Sequence, residues 1–492
     1  MTDRLWLGVD VGTQGVRVIA VDDDGHLAGS GSAALTSTRS GARHQQNPED
    51  WWEAVVAAAG TALTGVDTDA VAGLAVDATS GTVLLADPAG NPRTCALMYD
   101  DARATEEARL VNEVGAPVWE ALGYRRMPPS WALPKLIWLL GEHPELATGN
   151  VRLCHQADLI TTRLVGRPVG TDTSHALKSG YHLIEDRWPV EVFDRLGVPE
   201  RMLPEVVRPG TILGGVGAGA ATVTGIPAGT PVVAGMTDGC AAQLGAGALG
   251  IGSWNSVLGT TLVLKGVSDG LIQDPAGVVY CHRGPGGTWL PGGASSSGAG
   301  VIAHRFANND LGELTARTAQ LPIGPIAYPL VTKGERFPFR APDAEPFVLG
   351  NTPDDAAMFG ALLLGVACVE RLCLDYLDLL GAPTEGPLSF TGGATRNRYW
   401  SQLRVDLLGR PVRLPTNPEP ALGMAVLAST RAGRSAAEAA GAMVRVDTEL
   451  TPDPTRAPVL LARYNDFLDA LTARGWLDDA TAAHARTRAQ RG

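Results

Sequence analysis

The sequence predicts an α/β protein with two large domains, and three observations carry that expectation. Short apolar stretches rich in Val, Ile and Leu end repeatedly in glycine-rich turns, with helical stretches between them. A strand, a Gly–Thr turn and a second strand open the chain at Leu5–Ala20 (LWLGVDVGTQGVRVIA), and the pattern returns at Asn255–Leu264 (NSVLGTTLVL). The chain of 492 residues also exceeds what one hydrophobic core ordinarily serves.

Each element follows from its own residues. In the first hairpin apolar residues run to Asp10, Gly12–Gly15 form the turn, and Val16, Val18 and Ala20 alternate with period two. Asp22–Gly25 is a second turn, and His26–Ala34 continues as a third strand. Asn47–Pro48–Glu49–Asp50 starts a helix, with Asn at the N-cap, Pro in the first helical position and acids in the first turn. Val71–Val76 is a buried strand ending at Asp77–Gly81, and Thr82–Ala86 is a further strand. Residues 102 to 198 read as mostly helical, interrupted at Pro128–Pro129, Pro144 and Gly166. Arg208–Thr230 is a small β-excursion, Pro231–Gly235 an apolar strand closing on Thr237–Asp238–Gly239, and Ala241–Leu249 a helix.

A domain boundary is expected near residue 245, giving an N-terminal domain over 1–245 and a second over 246–445. The second half has a loop at Pro291–Gly300 (PGGASSSGAG) and a long helix from Asp354 to Leu380 with a core stripe through Leu362, Val369 and Leu372. The strand Leu388–Thr391 then ends on Gly392–Gly393, and a helix starts at about Asn397. Residues 446–492 read as a peripheral tail of solvated helix.

Composition removes several classes. A net charge of −12 argues against a nucleic-acid surface, although glycine turns and Mg²⁺ bind phosphate without one. The six cysteines show no zinc spacing and read as reduced thiols. No basic-then-apolar leader and no apolar run of about 20 residues stand out, so a cytoplasmic protein with no membrane span is expected. No Walker lysine loop, Gly-x-Ser-x-Gly elbow or HExxH is present, and the GxGxxG match at Gly245–Gly250 ends a helix instead of joining strand to helix.

What remains is a set of Gly/Thr turns at strand ends, accompanied by Asp10, Asp77 and Asp238. Converging N–H groups in such turns bind anions, and a carboxylate beside them calls for a metal ion in between. An Asp capping an ordinary hairpin has the same local sequence, so one turn alone does not choose.

Taken together, the motifs resemble the FGGY carbohydrate kinases of the sugar kinase/actin/hexokinase superfamily. They are DVGTQGVR (Asp10–Arg17), NPEDWWEAV (Asn47–Val55), YDDAR (Tyr99–Arg103), AGMTDGCAAQLGAG (Ala234–Gly247), LGTTL (Leu258–Leu262), FTGGATRNRYWSQLRVDLLGRPV (Phe390–Val412) and EPALGMAVLA (Glu419–Ala428). The resemblance implies two ribonuclease H-like domains of the actin/hexokinase ATPase type, with a nucleotide and sugar cleft between them. It implies Asp238 as the base toward the sugar hydroxyl, and Asp10 as the residue that holds Mg²⁺ and borders the sugar. Gly12, Thr13 and Gln14 match one phosphate loop and Gly259, Thr260 and Thr261 a second. Gly392 and Gly393 match the loop under the nucleotide's phosphates, with Asn397 and Gly298 at the adenosine pocket. Ser80, Asp101 and Arg103 are expected at the sugar, with pairing to Asp101 or the capping of a helix as the lesser alternative for Arg103. ATP and Mg²⁺ are the implied cofactors, the sugar and ATP are the implied partners, and a homodimer is left open.

Three positions depart from the family pattern: Tyr99 stands where Trp is common and Gly239 where Gln or Asn follows the base, both near the sugar, and Ala303–His304 stand where an aromatic is expected soon after Gly298. Xylulokinases usually carry Gln-Met-His where Ala78–Thr79–Ser80 stands, and the stretches DATSGTV, MYDDARA and LGTTLVLKG resemble a branch assigned to D-ribulose. The expected acceptor is therefore a ketopentose, D-ribulose before D-xylulose, with glycerol and gluconate behind. A catalytically inactive sugar-binding regulator would lack a base or a phosphate loop, and both are present.

Overall fold

A computed structural model describes residues 4–490. The chain divides into two compact units, Met1–Leu249 with His282–Leu290 and Asn417–Arg445, and Gly250–Cys281 with Pro291–Thr416 and Val446–Gly492.

The first unit is built on a six-stranded mixed sheet. Its strands are β1 (Leu5–Val11), β2 (Gly15–Val21), β3 (Leu27–Ala34), β4 (Val71–Ala78), β5 (Ile212–Gly215) and β6 (Pro231–Val233), in the order β5-β6-β4-β1-β2-β3. The opening hairpin forms as expected, with Asp10 opposite Arg17 and Val11 opposite Val16. β1, β4 and β6 run parallel, which brings three strand C-termini to one end of the sheet. Leu7, Val9, Val18, Leu74 and Val76 pack with Trp51 and Val55 of the Pro48–Ala62 helix in one core. That helix starts where its cap residues predict, the Asn47 side chain accepting from Glu49 N–H at 3.3 Å. The helix Pro420–Ser429 also belongs to this unit; its residues from Ala421 to Ser429 are all buried, and it packs on β1, β4 and the helix Asp238–Gly245. A smaller five-stranded sheet takes in Val83–Ala86, Arg43–Gln46 and Arg152–His155.

A second sheet, most of it in the second unit, repeats the plan. β7 (Trp254–Leu258), β8 (Leu262–Gly266), β9 (Tyr280–Arg283), β10 (Trp289–Ala294), β11 (Leu388–Thr391), β12 (Val412–Pro415) and β13 (Val446–Leu450) form a sheet in the order β9-β10-β8-β7-β11-β12-β13. β7 pairs antiparallel with β8 and parallel with β11, as β1 does with β2 and β4. The stretch Pro291–Gly300, expected as a loop, begins as the end of β10, because Gly292 and Gly293 pair with Lys265 and Leu264.

The helix Asp355–Leu379 is long and apolar enough to cross a membrane by length and composition alone, although Glu370 and Arg371 interrupt its apolar run. It is the core helix of the second unit, buried almost throughout. The C-terminal stretch is not the solvated one expected: Leu460, Tyr464, Phe467, Leu468 and Leu471 are fully buried, and β13 extends the sheet.

Candidate active site

The parallel strands of the first unit deliver three carboxylates. Asp10 lies directly across from Asp77 in the β1–β4 register, and the next residue, Ala78, bridges to Thr237, the residue before Asp238. Strand C-termini in sheets of this kind are where ligands bind. Asp238 is the first residue of its helix, a position where the helix N-terminus favours a negative charge. Burial, then the charges of Asp10 and Asp238, and the hydrogen-bonding proximity of the Asp10 carboxyl push the Asp77 carboxyl well up, and Asp77 takes no donor from the rest of the chain. Asp10 is pushed up to about 6, chiefly by burial, with its hydrogen bond to Asp77 opposing most, the Asp238 charge adding and Arg17 opposing less. Like charges this close favour a cation among them. Among the described residues no three such side chains are grouped to hold a metal. Asp10, beside an Asp77 whose oxygens take no donor from the rest of the chain, suits Mg²⁺, which commonly takes one or two carboxylates and completes its shell with phosphate and water.

The turn beside Asp10 is held by its neighbours. Gly12 N–H donates to Gly15 O at 3.0 Å, and Leu35 N–H to Gln14 O at 2.9 Å. Gln46 Nε2 donates to Thr13 O at 2.7 Å while its Oε1 accepts from Trp51 Nε1 at 2.7 Å, tying the turn to the first helix. Behind Asp238, Thr237 N–H donates to Ser174 Oγ at 2.8 Å, and Ser174 Oγ donates to Asp172 at 2.6 Å. The entry to the Asp238–Gly245 helix is thus fixed by a buried polar chain.

The residues expected at the sugar separate into two sets. Ser80 Oγ is buried with no hydrogen-bond partner, while its carbonyl accepts from Lys178 Nζ at 3.1 Å. Asp101 and Arg103 pair with each other: Arg103 Nε and Nη2 reach the carboxylate at 2.9 and 2.6 Å, and the guanidinium lies 4.7 Å from the Trp138 ring centroid. Asp101 also accepts from His44 N–H at 2.7 Å.

Sequence reasoning does not single out Lys135, Gln46 or Gln156. Lys135 is fully buried, its Nζ donating to Gly81 O at 2.6 Å and Met98 O at 2.7 Å, so it joins the loops that carry Ser80 and Asp101. A lysine inside the apolar run ALPKLIWLL was the available signal. Gln156 accepts from Thr79 Oγ1 at 2.6 Å, and nothing in its local sequence marks it.

In the second unit the Gly259–Thr261 turn lies against the segment after β10. Ala299 N–H donates to Gly259 O at 2.9 Å, and Gly300 N–H to Thr260 O at 3.0 Å. A Cβ on Gly298 would stand 2.5 Å from Thr260 O, so the close approach requires glycine. Gly392 has a φ of +88°, and a Cβ there would meet Leu258 O at 2.6 Å. Asn397 caps the helix Arg398–Leu408, accepting from Trp400 N–H at 3.0 Å and donating to Thr315 Oγ1 at 2.9 Å. With Gly393, Ala303 and Gly312 it lines a cavity of 670 Å³, large enough for a nucleoside.

Residues 5–245 match the FGGY family of carbohydrate kinases, N-terminal domain, and residues 255–432 match the C-terminal domain of the same family. A xylulose kinase of Streptomyces coelicolor is 32% identical over 503 residues, covering 99% of this chain and 98% of its own length. A xylulose kinase of Escherichia coli is 26% identical, covering 87% and 90%. The crystal structure of a xylulose kinase from Rhodospirillum rubrum matches with a TM-score of 0.86 at 26% identity, over 96% of this chain and 99% of that one. Two mixed sheets of one plan, three strand-end carboxylates and full-length similarity lead to one conclusion: the chain belongs to the FGGY family of carbohydrate kinases, phosphotransferases that act on a sugar with ATP.

Proposed function

We propose that this kinase transfers the γ-phosphoryl group of ATP to a ketopentose, with Asp238 as the base. Full-length similarity to proteins named xylulose kinase carries the acceptor class. D-xylulose is the first candidate on that ground. D-ribulose is the second, favoured by Ala78–Thr79–Ser80 in place of Gln-Met-His.

The proposed chemistry needs little beyond positioning. The acceptor hydroxyl oxygen bonds to the γ-phosphorus as the bond to the departing ADP oxygen breaks, and the hydroxyl proton passes to Asp238. Asp10 is the proposed holder of Mg²⁺, which when bound neutralises charge on the phosphate oxygens. Gly12–Gln14 and Gly259–Thr261 are the proposed phosphate turns, Gly392–Gly393 the loop beneath, and Asn397 lines the proposed adenosine pocket, whereas Gly298 packs on Thr260 outside that lining. Ser80 contacts the sugar, while the Asp101–Arg103 pair forms a rigid wall beside it. A panel of D-xylulose, D-ribulose, glycerol and gluconate, read by ADP release, tests the proposal. Turnover confined to glycerol or gluconate would reject the ketopentose assignment.

A further inference from the structure

In the second unit one buried carboxylate collects six donors, none of them charged. Glu335 is 3% exposed. Its Oε2 accepts from the hydroxyls of Ser295 and Ser297, both at 3.0 Å, and of Tyr328 at 2.9 Å. Its Oε1 accepts from the N–H groups of Ser296 at 2.6 Å, Arg336 at 2.9 Å and Phe337 at 3.4 Å. Burial, with the Glu335 charge beside it, holds the Tyr328 phenol well above its usual range, so the phenol remains a donor.

The other side of the serine loop is fastened to the Gly259–Thr261 hairpin. Leu262 N–H donates to Ser297 O at 2.8 Å and Ser295 N–H to Leu262 O at 2.9 Å, and the bonds from Ala299 and Gly300 follow. The loop sequence SSSGAG has almost no side chain with which to pack, so hydrogen bonds must supply its order. A carboxylate suits this task because it accepts at both oxygens, whereas an amide would turn an NH₂ group toward donors. Six donors share its roughly four lone-pair sites.

We infer that Glu335 is a positioning residue for the nucleotide, holding the Gly259–Thr261 turn in shape through Ser295–Ser297. The inference rests on the assignment of that turn to the phosphates. Direct titration with a non-hydrolysable Mg-ATP analogue, alongside KM values for ATP and sugar, tests it on four proteins: wild type, Glu335→Gln, Ser297→Ala and Gly298→Ala. Glu335→Gln should weaken nucleotide binding about tenfold or more, with the sugar KM within about twofold. Ser297→Ala should lose less, in the same direction. Should Glu335→Gln not fold, unchanged nucleotide affinity in Ser297→Ala would overturn the inference. Equal rises in both KM values with a lowered melting temperature would reduce Glu335 to a structural residue. Loss of affinity in Gly298→Ala without loss in Glu335→Gln would reject the inference and leave the turn's assignment standing. No loss in any of the three would reject that assignment as well.

Discussion

Replacing Asp10 by Asn should stabilise the protein while it disables phosphoryl transfer. The Asp10 carboxyl rises from 3.8 to about 6, first because of burial and then because of the Asp238 charge. The native state therefore binds more protons than the unfolded state between those values, and stability falls as pH rises through that window. At about pH 7.5 the native carboxylate carries a penalty of up to about 3 kcal/mol, and at about pH 5 roughly 1.6 kcal/mol, by linkage at about 1.36 kcal/mol per unit. Asparagine keeps the shape and removes the charge. In metal-free buffer, urea denaturation should show Asp10→Asn more stable than wild type at the higher pH, with the gap roughly halved at the lower. A gap of equal size at both values, or none, would refute the electrostatic argument. Use of Mg-ATP should fall sharply in the same variant, and unchanged use would show that Asp10 does not hold the metal.

Further outcomes follow from other parts of the fold. Asp238→Asn should bind nucleotide normally yet turn over at least about 100-fold more slowly in an ADP-release assay, as loss of a general base typically gives. Lys135→Met strands the Gly81 and Met98 carbonyls that it holds at 2.6 and 2.7 Å. It should raise the sugar KM about tenfold and leave the ATP KM unchanged, measured with each substrate varied in turn. Arg404 and Glu370, 1% and 0% exposed, form a two-pronged ion pair at 2.6 and 2.7 Å in the second unit. Arg404→Met should cost about 3–5 kcal/mol in denaturation, and adding Glu370→Met should recover most of it.

Much of the site could be read locally. Asp10 at the end of an apolar run, Gly–Thr turns between alternating strands, and Asn397 ahead of a helix are short-range patterns, and each stands where its sequence predicts. The helix Asp355–Leu379 was legible as a helix but not as an almost wholly buried one, because its Glu370 and Arg371 suggest a wet face. Arg404 arrives from another helix and pairs with Glu370, removing that face from water.

By itself, then, the sequence determined which residues end strands, which cap helices and which turns repeat, since backbone preference and side-chain period act over a few neighbours. Tertiary structure alone decided that Asp10 faces Asp77, that Lys135 joins two loops, and that Glu335 gathers the serines some 40 residues before it. Strand register and buried polar pairing depend on partners far along the chain. A carboxylate in a loop carries no local mark of the donors that will close around it.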